Sequence, residues 1–203
     1  MKKKILVVVD MQNDFISGSL GSPEAEAIVP YVTEKIRNAD KNTYIIYTQD
    51  THKENYLETQ EGQYLPVKHC IKGTLGWEIE KDLNLANWNE IKIPSARIEK
   101  ATFGSITLME VLNDIVKVEE NKENEVEIEF VGLCTNICVI SNVMLAKAFL
   151  PEVPIIVDAQ GCAGTTPYGH ACALQAMKDC QVEVINETKD AMVPDDYNFE
   201  VGM

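Results

Sequence analysis

The sequence predicts an α/β fold: a three-layer doubly wound domain with a mostly parallel six-stranded sheet and helices on both faces. Three observations carry this. Unbroken aliphatic runs of strand length recur, most clearly Ile5 to Val9 and Ile155 to Val157, as expected of strands buried on both faces. Helix-periodic segments alternate with such runs, in the order β, α, β, α, β, α, β, α, β, α, β. Chemically capable side chains follow the ends of several runs, where open α/β sheets bind ligands. At 203 residues the chain can bury a full core and reads as one domain over residues 1–203.

The elements follow in order. Ile5 to Val9 ends at Asp10, a carboxylate emerging from a core strand, where it is costly unless paired or used. Asp14 suits a turn cap. Phe15 and the SGSLGSPEAEA stretch are expected to form a loop, with Pro30 opening a helix to about Ala39. Thr43 to Thr48 reads as a strand running into Gln49-Asp50-Thr51-His52. If the chain stays extended there, Asp50 and His52 share a face. A long polar loop leads to His69-Cys70, so two of the three histidines flank one loop. Imidazole and carboxylate together suit Zn²⁺, Fe²⁺ or Mn²⁺, and loops of this length are usually functional.

Trp77 to Leu83 reads as a short amphipathic helix and Glu90 to Ile93 as a short strand near an edge. Pro94 to Ser105 is expected to be a loop holding Lys100, then a helix from Ile106 to Val116. VEENKENEVE, residues 118–127, is an exposed charged connection. The apolar run to Val131 is a strand. Gly132 permits a sharp bend, and Thr135 and Asn136 are helix-capping types. Cys138 therefore falls near the first turn of a helix running to about Phe149, where the field of the helix start favours a thiolate. Such a strand, bend and helix-start Cys make a nucleophile elbow with an oxyanion site, or an ordinary turn with a buried Cys. Ile155 to Val157 ends at Asp158, and QGCAGTTPYG is a turn-rich loop. Thr166 caps and Pro167 opens a helix to about Asp179, with His170 structural in its first turn. Val182 to Ile185 is the last strand, followed by an acidic tail.

Composition narrows the function. Eighteen basic against 32 acidic residues give a net charge of −14, which argues against nucleic-acid or anionic-membrane partners. No apolar run approaches a transmembrane span, and the apolar run of MKKKILVVVD is too short for a signal peptide. The protein is read as cytoplasmic. The six cysteines show no CxxC pair, so a Cys-ligated zinc site and a disulfide framework are not expected.

Asp10, Lys100 and Cys138 all fall at or after the carboxyl ends of strands, which converge on one rim in a parallel sheet. A carboxylate can serve as base for the thiol, and an ammonium stabilises both anions. At these residues the chain resembles the isochorismatase-like cysteine hydrolases, and within them the nicotinamidase/pyrazinamidase group. VVVDMQNDF, RIEKATFGS and VGLCTNICV resemble the segments bearing the family's catalytic Asp, Lys and Cys, here Asp10, Lys100 and Cys138. QDTH and LPVKHCIKGTLG resemble the nicotinamidase metal site and imply Asp50, His52 and His69 as ligands. A third histidine common in the group is absent. Glu61 stands where some members use a glutamate, with Glu58 and Glu54 as alternatives. Leu65 replaces a frequent aromatic residue, Phe103 a frequent tyrosine and Asn136 a frequent Asp.

The resemblance implies a mechanism. Asp10 takes the Cys138 proton, the sulfur attacks a carboxamide carbon, and the N–H groups of Cys134 and Cys138 hold the oxyanion, with a cis peptide at Leu133–Cys134. Water then hydrolyses the thioester. Lys100 balances charge, one divalent ion (Zn²⁺ first, then Fe²⁺ or Mn²⁺) orients the ring, and Phe15 and Phe103 are candidate ring walls. The implied partner is a small amide, and family members are often homo-oligomers. Alternatives are another amide, carbamoyl or ureido substrate, and a non-catalytic binding or thiol-redox protein. Vinyl-ether hydrolysis on this fold would not need Cys138.

Overall fold

Six strands, β1 (Lys2–Val9), β2 (Thr43–Asp50), β3 (Ser95–Lys100), β4 (Glu125–Leu133), β5 (Ile155–Ala163) and β6 (Glu183–Ile185), form one sheet in the order β3-β2-β1-β4-β5-β6. Every neighbouring pair is parallel. The computed structural model describes residues 2–84 and 94–188, so the strand expected at Glu90–Ile93 and most of the acidic tail lie outside the described residues. Helices α1 (Asn13–Ile16), α2 (Pro23–Arg37), α3 (Gln60–Tyr64), α4 (Ile106–Glu120), α5 (Ile140–Phe149) and α6 (Pro167–Asp179) connect the strands.

The two-residue period of β1 divides the core. Ile5, Val7 and Val9 face α4, α5 and α6 through Leu108, Leu112, Val143 and Leu174. Leu6 and Val8 face α2 through Ile28, Val32 and Ile36. An aliphatic run with no polar alternation is what burial on both faces demands. The α2 face also holds buried charge. Glu129 of β4 pairs with Lys4 and Lys35, and Asp158 of β5 pairs with Lys35 at 2.6 Å and accepts from Tyr31 at 2.8 Å. These contacts tie α2 to the strands leading into the rim.

Four sequence expectations are corrected. The helix begins at Pro23 rather than Pro30: Ser22 accepts from the Ala25 N–H at 3.1 Å, Pro23 occupies the first turn, and Glu24 and Glu26 suit its positive end. Pro30 lies inside the helix, whose buried stripe tolerates the loss of one N–H. Trp77 to Leu83 is not a helix; Ile79 makes an antiparallel bridge to Gln12, so cross-chain bonds win over helical periodicity. Lys100 ends a strand, not a loop. SARIEK buries only Ile98 and Lys100, because β3 is the sheet edge and its outward residues meet solvent. Finally, β5 continues through a register shift beyond Asp158 to Ala163, absorbing half of the expected loop.

Gly132 lies in β4 with φ of 122°, and a Cβ there would stand 2.1 Å from the Val9 carbonyl oxygen. Only glycine combines that conformation with that approach. Gly132→Ala is expected to lower the unfolding free energy by about 2 kcal/mol or more; a urea titration matching wild type would contradict this.

Candidate active site

The strand order reverses between β1 and β4, and in open parallel sheets the crevice at such a switch point binds ligands. Asp10 follows β1 directly, Asp50 and Lys100 end β2 and β3, and Cys138 follows β4. The edge strand places Lys100 on the same rim: its register partner on β2 is Asp50.

Three side chains meet there out of solvent. Lys100 Nζ lies 2.6 Å from Asp10 Oδ2 and 3.5 Å from Cys138 Sγ. Asp10 Oδ1 accepts from the Thr48 hydroxyl at 2.7 Å, and its own N–H donates back to Thr48 Oγ1 at 3.1 Å. Asp10 has φ of 47°, a left-handed conformation found mostly where surroundings over-determine the backbone. Burial raises the Asp10 pKa above the ordinary carboxylate value, and the Lys100 ammonium opposes this without cancelling it. Burial also pushes the Cys138 thiol well above its usual range, and the Asp10 charge adds to that. Removing its proton takes a base, and the Lys100 ammonium, in contact with both Asp10 and Cys138, brings that carboxylate beside the thiol. Burial alone would lower Lys100, but Asp10, Cys138 and Asp50 hold it above its ordinary value as a cation.

Cys138 sits in a π-helical turn, Thr135–Val139, that runs into α5. Thr135 and Asn136 do not cap it with their side chains. Thr135 Oγ1 instead pairs with His170 Nδ1 at 2.7 Å. Asn136 donates to Thr165 Oγ1 at 2.8 Å and accepts from the Thr165 N–H at 2.9 Å. The turn is thereby tied to α6 and to the loop before it. The Leu133–Cys134 peptide is cis. The Cys134 thiol is pushed up to about 11 by burial. All six cysteines are free.

Beside these groups, Asp50, His52 and His69 bring donor atoms within 4.8 Å of one another, all buried. Asp50 Oδ2 is 2.9 Å from His52 Nε2 and 3.5 Å from His69 Nε2, while its Oδ1 is 3.6 Å from Lys100 Nζ. The pairing with both histidines and Lys100 holds Asp50 well below the carboxylate range despite burial. His69 Nδ1 bonds the Val67 carbonyl at 2.8 Å, leaving Nε2 to face the cluster, and the buried His52 Nε2, although 2.9 Å from Asp50 Oδ2, makes no hydrogen bond. Oriented imidazoles, a carboxylate and an orphaned buried nitrogen fit a divalent ion. Glu61 Oε1 stands outside that set at 3.7 and 3.8 Å from His52 and His69 Nε2. Glu54 points to Lys68 on the surface and Glu58 to Asn55.

A cavity of about 420 Å³ joins the two clusters, lined by Phe15, Phe103, Cys134, Cys138, Asp50, Glu61 and His69 among others. Leu65 and Ile137 also line it, and the sequence reading did not single out Ile137 or Thr48. A second cavity of about 870 Å³ shares Glu61, Leu65, Phe103 and Ile137 with the first. Phe103 and Leu65, which line both cavities, are 48% and 38% exposed. Among the described residues, no helix is long and apolar enough to cross a membrane.

A family model described as the isochorismatase domain matches residues 4–189. The chain is 30% identical over 180 residues to the uncharacterized isochorismatase family protein PncA of Bacillus subtilis (strain 168), spanning 85% of this chain and 92% of that protein. It is 27% identical over 191 residues to the nicotinamidase of Saccharomyces cerevisiae, spanning 76% and 86%. The solved pyrazinamidase of Pyrococcus horikoshii in complex with zinc superposes with a TM-score of 0.70 at 27% identity, covering 90% of this chain and 98% of that one.

Proposed function

The chain belongs to the isochorismatase family, and from that premise we propose that it is a metal-dependent nicotinamidase-like amidohydrolase. It converts nicotinamide to nicotinate and ammonia through a thioester on Cys138, a reaction that belongs to NAD salvage in the cytoplasm. The observation that carries this reading is the shared carboxylate of Asp50. One oxygen approaches the Lys100 ammonium and the other approaches His52 and His69. A nucleophile cluster and a His-His-carboxylate cluster thus border one cavity with room for an aromatic ring. The nicotinamidase and zinc-bound pyrazinamidase relatives support the same substrate class.

In the mechanism, Asp50, His52 and His69, with Glu61 as a fourth candidate, would hold the ion. Bound there, a divalent cation supplies a Lewis-acidic contact that orients the pyridine ring. Phe15 and Phe103 pack the ring faces. Asp10 accepts the Cys138 proton as sulfur bonds to the carboxamide carbon, and the N–H groups of Cys134 and Cys138 receive the oxyanion. Asp10 returns the proton to the amide nitrogen as the C–N bond breaks and ammonia leaves. Asp10 then takes a proton from water, whose oxygen attacks the thioester, and the sulfur leaves as the regenerated thiol. Lys100 keeps the anionic charge near sulfur and carboxylate affordable in a buried site.

Ammonia release from nicotinamide and pyrazinamide tests this. Turnover of both is expected, lost on chelation and restored by Zn²⁺. A second reading, another small amide, carbamoyl or ureido substrate, is favoured by Leu65 and Phe103, which line both cavities and depart from the residues frequent in the nicotinamidase group. Cleavage of such a compound with none of nicotinamide would establish the second reading and overturn the first.

A further inference from the structure

We propose that Gln12 is a positioning residue that sets where the Asp50 carboxylate stands between the metal ligands and the triad. The proposal rests on the amidohydrolase reading for its catalytic consequence, but its metal-binding consequence stands without it. Gln12 is fully buried. Its Nε2 donates to the Asp50 carbonyl at 2.8 Å and to the Trp77 carbonyl at 2.7 Å, and its Oε1 accepts from the Asp50 N–H at 2.7 Å. Both main-chain groups of Asp50 are therefore gripped by one side-chain amide.

The local geometry explains why a carboxamide is needed. On the β3 side, the Thr51 N–H bonds the Lys100 carbonyl at 2.7 Å. Asp50 presents its own N–H and carbonyl toward β1. The last β1–β2 register pair is Val8 with Tyr47, so no strand remains there to receive them. The Gln12 amide takes the place of a peptide group, offering a donor and an acceptor at once. Gln12 is itself fixed: its N–H bonds the Asp10 carbonyl at 2.8 Å, and its carbonyl accepts from Phe15 and Ile16, both at 3.1 Å. One residue thus links the general base, the ring wall and the backbone of the shared carboxylate.

Gln12 carries no charge, and its side chain bonds only backbone, so its influence on the ion must pass through the position of Asp50. Partners of this kind behind a metal ligand typically change affinity by about 10–100-fold. The Trp77 carbonyl offers a control, because Gln49 Nε2 also donates to it at 2.8 Å. Gln49 can be replaced without touching the Asp50 amide groups.

The test compares wild type with Gln12→Met, Gln12→Glu and Gln49→Met by zinc affinity in competition with a chromogenic chelator. Thermal midpoint and steady-state nicotinamide kinetics at saturating zinc are measured alongside. Both Gln12 variants are expected to bind zinc about 10–100-fold more weakly and to lose kcat even when loaded. Gln49→Met is expected to keep wild-type zinc affinity. Gln12→Glu preserves shape and the acceptor for the Asp50 N–H, so it carries the test if Gln12→Met does not fold. Wild-type zinc affinity in a folded Gln12 variant, even one with a lowered melting point, overturns the proposal. So does a wild-type protein that binds no zinc. Absence of nicotinamide turnover by wild type, with the zinc difference intact, overturns only the amidohydrolase reading.

Discussion

Replacing Cys138 with alanine is expected to reduce ammonia release from nicotinamide by about 10⁴-fold or more, with little loss of stability. The size follows from what removal of a covalent nucleophile does elsewhere: the remaining oxyanion and binding contacts retain only a small fraction of the catalysis. The small structural effect follows from the site. Cys138 packs beside Val139 and Val143 in the core, and alanine keeps most of that apolar contact. The π turn itself is tied by Asn136 and Thr135 to residues before and within α6, not by the thiol. Urea unfolding should therefore change by roughly 1 kcal/mol or less. Full activity in Cys138→Ala would support a non-nucleophilic role for this fold.

Lys100→Met is expected to lower kcat/KM by about 10³-fold and to move its acid limb to higher pH. Lys100 is the cation that approaches Asp10, Asp50 and Cys138 together. Burial raises Asp10 and the ammonium pulls it back down. The wild-type acid limb should already lie above the ordinary carboxylate range, since Asp10 must be ionised to act as base. Without Lys100 the opposing influence is gone, Asp10 rises further, and more of the enzyme is inactive at a given acidic pH. Breaking a buried pair typically costs about 3–5 kcal/mol while its partner remains charged. Asp10 binds its proton more tightly in the variant, so the stability deficit is full at alkaline pH and shrinks as pH falls through the raised Asp10 value. A profile whose acid limb stays in place would contradict this role for Lys100.

The sheet was legible because Ile5–Val9 of β1 and Ile155–Val157 of β5 are buried on both faces and carry no polar interruption. β3 was not, because an edge strand such as SARIEK shows only Ile98 and Lys100 to the interior and reads as a loop. The start of α2 was hidden by Pro30, which suits a first turn as well as Pro23 does. The Ser22 cap and the acidic first turn, Glu24 and Glu26, distinguish them. Of the site, Asp10, Lys100, Cys138, Asp50, His52 and His69 could be named because their residue types are costly where the strands end or resemble known segments. Thr48, Ile137 and the Gln12 amide could not. Thr48 acts through a single hydroxyl, Gln12 through bonds to backbone and Ile137 by lining the cavity, and the groups they meet are distant in sequence. The Glu129, Lys35 and Asp158 network is equally invisible, because charges on a strand read as exposure until the helix that neutralises them is in place.

The central claim is that the Cys138 sulfur becomes bonded to the substrate carbonyl carbon. Acid-quenching the zinc-loaded enzyme during turnover of nicotinamide, then mapping the peptide by mass spectrometry, tests it most directly. The expected result is a nicotinoyl group on the peptide containing Cys138, formed in wild type, absent in Cys138→Ala and discharged as substrate is exhausted. Rapid ammonia release with that peptide unmodified at every quench time, and persisting in Cys138→Ala, would contradict it.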